Sequence, residues 1–250
     1  MRLDAIETYY DTVPRAAATT EEVGPFTLFL AEEGTGWQFY ARPRLGDEAT
    51  FTPDDVRRVL ARQVELGRPP AIEWVDESTP SLFPAAVAAG HQPGRYPLLA
   101  LPADAEVPDP GHTRRLDSDD ADLGWLVGAV SAAFEGTDEV TERPVGTRPR
   151  LIASGHLIEV AAYGDDGRIL GGGSAAPRGD TAELMGIGVP PASRGSGVGT
   201  SVTRALVRAC RDAGVTTVFL SAADDAAAGI YRRVGFRDIG TACILGVGSE

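Results

Sequence analysis

From Val198 onward, apolar or small residues recur at Val202, Ala205, Leu206, Ala209 and Cys210, a spacing that lines one face of a helix. Gly214 supplies a C-cap, and the β-branched run VTTVFLS that follows predicts a strand. A second helix is expected from Asp224 or Asp225 as N-cap to Val234, ended by Gly235, with Phe236 leading into a last strand. Upstream, TAELMGIGV reads as a strand, and the two apolar runs of HLIEVAAYGDDGRILGGGSAAP flank the turn formers Asp165, Asp166 and Gly167 as a hairpin. A short strand over 113–116, a helix over 121–134 and a proline-interrupted helical region over 139–155 precede them. The order strand, glycine loop, helix, strand requires a crossover, which predicts that strands 181–189 and 215–221 run parallel.

The first half of the chain contains an echo of the second. TPDDVRRVLARQVELG is a helix with Thr52 as N-cap, Pro53 at its first position and Gly67 beyond its end. AIEWV is a strand, PSLFPAAVAAG a helix ending at Gly90, and YPLLAL another strand. An offset of 145 residues lays Gly90-His91 on Gly235-Phe236 and Val75 on Leu220. This is either a degenerate repeat or a coincidence of two similar arrangements. LPADAEVPDPGHT, residues 101 to 113, has the composition of a linker. It divides the chain into an N-terminal domain over 1–108 and a C-terminal domain over 109–250. The fold class is α/β: a mixed sheet flanked by helices, preceded by a smaller α/β domain.

Composition narrows the function classes. With 250 residues and 43% hydrophobic content, the chain can bury a sizeable core. Asp4 and Glu7 stand where a signal peptide needs an apolar run, and no stretch reaches the roughly 20 apolar residues of a membrane span. A cytoplasmic protein without a membrane partner is expected. Two cysteines without C-x-x-C spacing and three scattered histidines give neither a disulfide framework nor a metal site. Cys210 shares the apolar helix face, which makes it core rather than a covalent acyl carrier. His156, at the start of a strand, reads as a surface residue. The net charge of −13 argues against nucleic acid and suits an amine-bearing partner.

The chemistry points to Arg194-Gly195-Ser196-Gly197-Val198-Gly199. A strand that enters a glycine loop and then a helix start aims free N–H groups and the positive end of the helix dipole at one place, which suits an anion. The nucleotide-hydrolase loop needs G-x-x-x-x-G-K-[ST], and the chain has no lysine. The dinucleotide fingerprint G-x-G-x-x-G fails as well, because its last position is Thr200 or Val202.

What remains resembles the GNAT acetyltransferase superfamily. The loop has the R/Q-x-x-G-x-G/A form of that family's acetyl-CoA pyrophosphate loop. Ile187-Gly188-Val189-Pro190 before it looks like the cofactor strand, and DDAAAGIYRRVGF after it looks like the family's second helix closed by Gly-Phe. The likeness spans about residues 113 to 245. It implies a GNAT-like fold, acetyl-CoA as co-substrate, and transfer of acetyl to an amine by direct attack. It implies cofactor contacts from Ile187, Gly188 and Val189 on the strand and from Arg194, Gly195, Ser196, Gly197, Val198, Gly199 and Thr200 on the loop and helix start. Asp224 and Ala227 would add contacts at the second helix. Tyr231 is the implied proton donor to the departing thiolate, the Val189 N–H the group that polarises the thioester carbonyl, and Glu183 the candidate base. Asp224 departs from the family's asparagine and, ionised, can only accept hydrogen bonds. Gly186 and Gly188 weaken a strand unless it bulges or another backbone comes close. The acidic run Glu135, Asp138, Glu139 and Glu142 is either part of an acceptor site or a solvated loop. In the echo Ala86 falls opposite Tyr231, so a true repeat would be a degenerate GNAT-like domain without the cofactor motif. A small-molecule amine is the expected acceptor rather than a protein, and the oligomeric state, a homodimer included, is left open. The alternative is a non-catalytic acyl-CoA sensor, while a different nucleotide binder is disfavoured by both excluded loops.

Overall fold

A computed structural model describes residues 3–31 and 40–246 of the chain. In chain order the elements are α1 (Asp4–Arg15), β1 (Ala18–Val23), β2 (Phe26–Ala31), β3 (Ala41–Pro43), α2 (Pro53–Glu65), β4 (Ala71–Val75), α3 (Leu82–Ala88) and β5 (Gly94–Leu101). There follow β6 (Thr113–Leu116), α4 (Leu123–Glu135), α5 (Arg148–Ala153), β7 (Ile158–Tyr163), β8 (Ile169–Arg178), β9 (Thr181–Gly188), α6 (Val198–Asp212), β10 (Thr217–Ser221), α7 (Asp225–Val234) and β11 (Arg237–Gly246). They form two compact units, one of residues up to Leu98 together with those from Ile239 on, the other Leu99–Asp238. The division therefore falls at Leu98 rather than after residue 108, and the last strand joins the first unit. The proline-rich segment 101–113 does not hang free. Ala105 and Val107 pack on the core beside α6, and Arg208 and Arg211 of α6 donate to the Val107 and Ala103 carbonyls at 3.3 Å.

In the second unit the strand order is β10-β9-β8-β7-β6. β9 and β10 are parallel, as the crossover requires, with Thr217 opposite Thr181 and Phe219 opposite Glu183; the other neighbours are antiparallel. Alternation along β7 decides the layers. Ile158, Val160 and Ala162 meet Val202, Leu206, Val207 and Cys210 of α6 on one face, whereas Ala161 meets Leu123, Leu126 and Ile152 of α4 and α5 on the other. Cys210 is core, as its helix face predicts, and burial pushes its thiol up to about 12. The region 139–155 resolves into a loop followed by α5, with Pro149 in the first turn of that helix.

α4 lies close to β9 because β9 has no side chain at the contact, and a glycine of α4 lets the segment after that helix come close in turn. A Cβ on Gly188 would stand 3.2 Å from the Val130 Cα and 3.0 Å from the Ala133 Cβ, and one on Gly128 would strike the Thr141 carbonyl. Gly128→Ala is expected to destabilise the protein by about 1–3 kcal/mol through overpacking against backbone, read as a lower urea midpoint at unchanged slope. An unchanged midpoint would mean that the 137–142 segment moves aside freely.

The first unit has the order β1-β2-β3-β4-β11. β1–β2 and β2–β3 are antiparallel, and β3–β4 is parallel through the pair Ala41–Ile72. β11 runs antiparallel to β4, from Ala242–Val75 to Gly246–Ala71. The core gathers Phe26, Leu28, Val56, Val59, Ile72, Trp74 and Leu82 with Cys243 and Leu245 of β11. The sequence echo has a structural counterpart. The order α1-β1-β2-β3-α2-β4-α3-β5 recurs as α5-β7-β8-β9-α6-β10-α7-β11, with the same pairing senses among the first four strands of each. The offset of 145 lays Pro53 on Val198, the first residues of α2 and α6.

Candidate active site

The parallel register of β9 and β10 ends at Glu183–Phe219, while β9 runs on to Gly188. In that free stretch Gly186 has φ +58°, and the β8 register slips between Gly172–Gly188 and Ser174–Met185. This is the bulge that glycine in this strand predicts. Gly188 has the other predicted reason, a close backbone, but the backbone is that of α4.

Beyond β9 the chain makes one 3₁₀ turn, Pro191–Ser193, and reaches α6 through Gly195 at φ +78° and Gly197 at φ +90°. Gly197 is the N-cap of α6, with no side-chain cap and no acidic residue in the first turn. The Ser201 N–H bonds to the Gly197 carbonyl at 3.0 Å. The N–H groups of Val198, Gly199 and Thr200 find no acceptor among the described residues, so the helix start presents open donors. The three alternate glycines are not equivalent. Gly195 and Gly197 occupy backbone angles that side chains disfavour. Gly199 is helical, and a Cβ there would make ordinary contacts, 3.8 Å to Val189 Cγ2 and 4.0 Å to Ile230 Cγ2. Neither conformation nor crowding within the protein requires glycine at 199.

Arg194 turns back from the loop. Its Nε donates to the Val189 carbonyl and its Nη2 to the Ala133 carbonyl, both at 2.9 Å. Of the acidic run, Asp138 reaches the loop, where its Oδ1 accepts the Ala192 N–H at 2.7 Å. Ser196 Oγ donates to the Ser193 carbonyl. A groove of about 790 Å³ opens beside the loop, bordered by Asp122, Trp125, Asp138, Arg168, Pro190 and Ser196.

On α7, Asp224 is the N-cap, its Oδ1 accepting the Ala227 N–H at 2.7 Å. That bond occupies the Ala227 donor. Tyr231 is half-buried against the α6 core, edge-on to Phe236 at 6.2 Å between ring centres. Its hydroxyl has no hydrogen-bond partner among the described residues, and burial pushes its pKa above the ordinary phenol value. Glu183 alternates with Ala182 and Leu184, which face α6, so it stands on the α4–α5 face at the last parallel pair. Ile187 packs on the α6 side. His156 is exposed beside the Ser154 hydroxyl, as a surface residue should be.

Sequence reasoning missed Glu159. This β7 residue is 2% exposed, held by Arg148 Nε at 2.9 Å and Ser174 Oγ at 2.8 Å, and its burial raises the carboxyl pKa. Its signal was a single acid inside the apolar run HLIEVAAY. Among the described residues no group of histidine, cysteine and carboxylate side chains is placed to hold a metal ion, and no helix is long and apolar enough to cross a membrane.

Comparison with known proteins bears on this arrangement. Residues 120–236 match the acetyltransferase (GNAT) family model. No curated protein matches the chain significantly. Among solved structures, a GCN5-related N-acetyltransferase from Kribbella flavida superimposes with a TM-score of 0.77 at 22% identity, covering 99% of this chain and 96% of that one. A conserved protein of unknown function from Staphylococcus epidermidis gives 0.65 at 17% identity, covering 95% and 96%. A tandem GNAT protein from the clavulanic acid biosynthesis pathway gives 0.54 at 16% identity, covering 90% and 79%. The segment that matches the acetyltransferase (GNAT) family model contains the strand, glycine loop and helix described above, and the chain shares its fold with these solved structures over most of their length.

Proposed function

We propose that the chain transfers the acetyl group of acetyl-CoA to a small amine by direct attack of the amine. One observation carries the cofactor assignment, the contrast between two helix starts that occupy the same place in the repeat. α2 is closed by its own side chains: Thr52 and Asp55 form a reciprocal capping box, and Asp54 and Asp55 fill the first turn with negative charge. α6 has open N–H groups, no acid and a glycine approach. An anion is repelled from the first and received by the second. The second unit alone therefore holds acetyl-CoA, and the first is a degenerate copy without a cofactor site. Titration calorimetry is expected to give one CoA bound per chain; two would overturn this assignment.

Acetyl-CoA would supply the acyl group as a thioester. The N–H groups of Val198, Gly199 and Thr200, with the backbone of Gly195, Ser196 and Gly197, bind the pyrophosphate. Ile187, Gly188 and Val189 line the pantetheine path where β9 and β10 part, with Asp224 and Ala227 at the start of α7 on its far side. The Val189 N–H polarises the thioester carbonyl. Glu183 accepts the proton of the amine as its nitrogen bonds to the carbonyl carbon. Tyr231, kept protonated by burial, gives its proton to the sulfur as the carbon–sulfur bond breaks. The net charge of −13 favours a cationic amine as acceptor.

Gly199→Ala separates ligand binding from folding, because its two effects have opposite signs. Alanine is the better helix former and should hold or slightly raise the melting temperature. Its Cβ at the open helix start should weaken CoA about tenfold or more, by standing where the pyrophosphate approaches the N–H groups. CoA bound as tightly as by the parent would remove the loop from the site. Activity is tested by incubating acetyl-CoA with a panel of amines and following free thiol. Binding without turnover across the panel would favour the sensor reading.

A further inference from the structure

The turn between β9 and α6 is fastened at two points to one short stretch of chain. Arg194 bridges the Val189 and Ala133 carbonyls with two nitrogens of one guanidinium, and Asp138 accepts the Ala192 N–H between them. Ala133 lies in the last turn of α4, where carbonyls lack helical partners. Asp138 follows just beyond the Gly136 cap. A planar fork that reaches two carbonyls at once is a task for arginine that lysine cannot copy. Asp138 is harder to account for electrostatically, since a carboxylate next to an anion-binding turn opposes the anion.

We propose that Arg194 and Asp138 are positioning residues: they hold the 189–194 turn, and with it the α6 start, in the geometry that receives the CoA pyrophosphate, and are not themselves its ligands. This rests on the cofactor reading above. It makes the segment after α4 a structural partner of the cofactor loop.

The test titrates CoA by calorimetry at several salt concentrations into the parent, Asp138→Ala, Asp138→Asn, Arg194→Ala and Arg194→Lys. Asp138→Ala is expected to weaken CoA about threefold to tenfold, although it removes a repelling charge. Asp138→Asn keeps an oxygen acceptor for Ala192 and is expected to bind at least as tightly as the parent. Arg194→Lys should be nearly as weak as Arg194→Ala, about tenfold below the parent, and, because it keeps the charge, with the parent's salt dependence of binding. Tighter binding by Asp138→Ala, or parental affinity in Arg194→Lys, would overturn the proposal. A second readout uses ligand-free protein: hydrogen exchange at the Ser193 and Arg194 amides, which bond to the Pro190 and Pro191 carbonyls. Exchange at both should speed up several-fold in Asp138→Ala and Arg194→Ala while the melting temperature holds, because the turn is exposed. Unchanged exchange would overturn the positioning role even if the parent bound no CoA, a result that would separately end the cofactor reading.

Discussion

Tyr231→Phe is expected to bind CoA like the parent and to lower turnover with a competent amine by about 10²- to 10⁴-fold, the usual contribution of a positioned general acid. The ring keeps its packing against Phe236 and the α6 core, so only the hydroxyl is lost. That hydroxyl bonds to nothing among the described residues, and its removal leaves no orphaned partner in the protein. The pH dependence supplies an independent check. Burial raises the Tyr231 pKa above its ordinary value of about 10. A donor must be protonated, so its contribution is complete through the neutral range and fades only above that value. The parent should show no alkaline loss of kcat from this group below about pH 10. Equal kcat in Tyr231→Phe and the parent would take Tyr231 out of the mechanism.

Ending the chain at Asp238 is expected to unfold the first unit, although every residue removed comes from the other end of the sequence. β4 would lose its antiparallel partner over Ala71–Val75. The core would lose Cys243 and Leu245, 0% and 6% exposed. Thr241, whose N–H donates to Glu77 at 2.7 Å, would go with them. Burial of a leucine is worth about 1.5–3 kcal/mol, and each lost ladder bond about 0.5–1.5 kcal/mol. Their sum is comparable with the roughly 5–15 kcal/mol that holds a domain folded. Hydrogen exchange read by region is the measurement. Protection persisting through β1–β4 in the truncated chain would show that the first unit is complete without β11.

Helix periodicity and caps carried most of the second unit in the sequence. The face built from Val202, Leu206, Ala209 and Cys210 is the buried face of α6, and Thr52, Asp224 and Gly235 are caps as their residue types predict. Residues before Thr52 were less legible. α1 buries Tyr9 and Tyr10 and carries Pro14, and β1 is largely polar, so neither shows clean periodicity. The unit division was hidden because no local pattern marks which unit a strand will join: β5 and β11 read alike, and only tertiary packing separates them. The same holds at the site. The motif marks Arg194, but its partner Ala133 lies in a distant helix, and the different φ of Gly197 and Gly199 is invisible in a run of alternate glycines.

The late strand of the first unit also sets a timetable. β4 leaves the ribosome long before β11, and at about 5–20 residues per second the interval is roughly ten to thirty seconds. Throughout it, AIEWV offers an unpaired apolar edge, the kind of surface on which nascent chains associate wrongly. The first strand able to fill that edge is β5, which holds the corresponding place in the repeat and is made only about twenty residues after β4. Yet in the folded chain Leu99 and Leu101 of β5 belong to the core of the second unit. Premature β4–β5 pairing is thus the expected kinetic trap during synthesis, to be undone when the C-terminal strand arrives, whereas a full-length chain refolding from denaturant has β11 available from the start and should be delayed less.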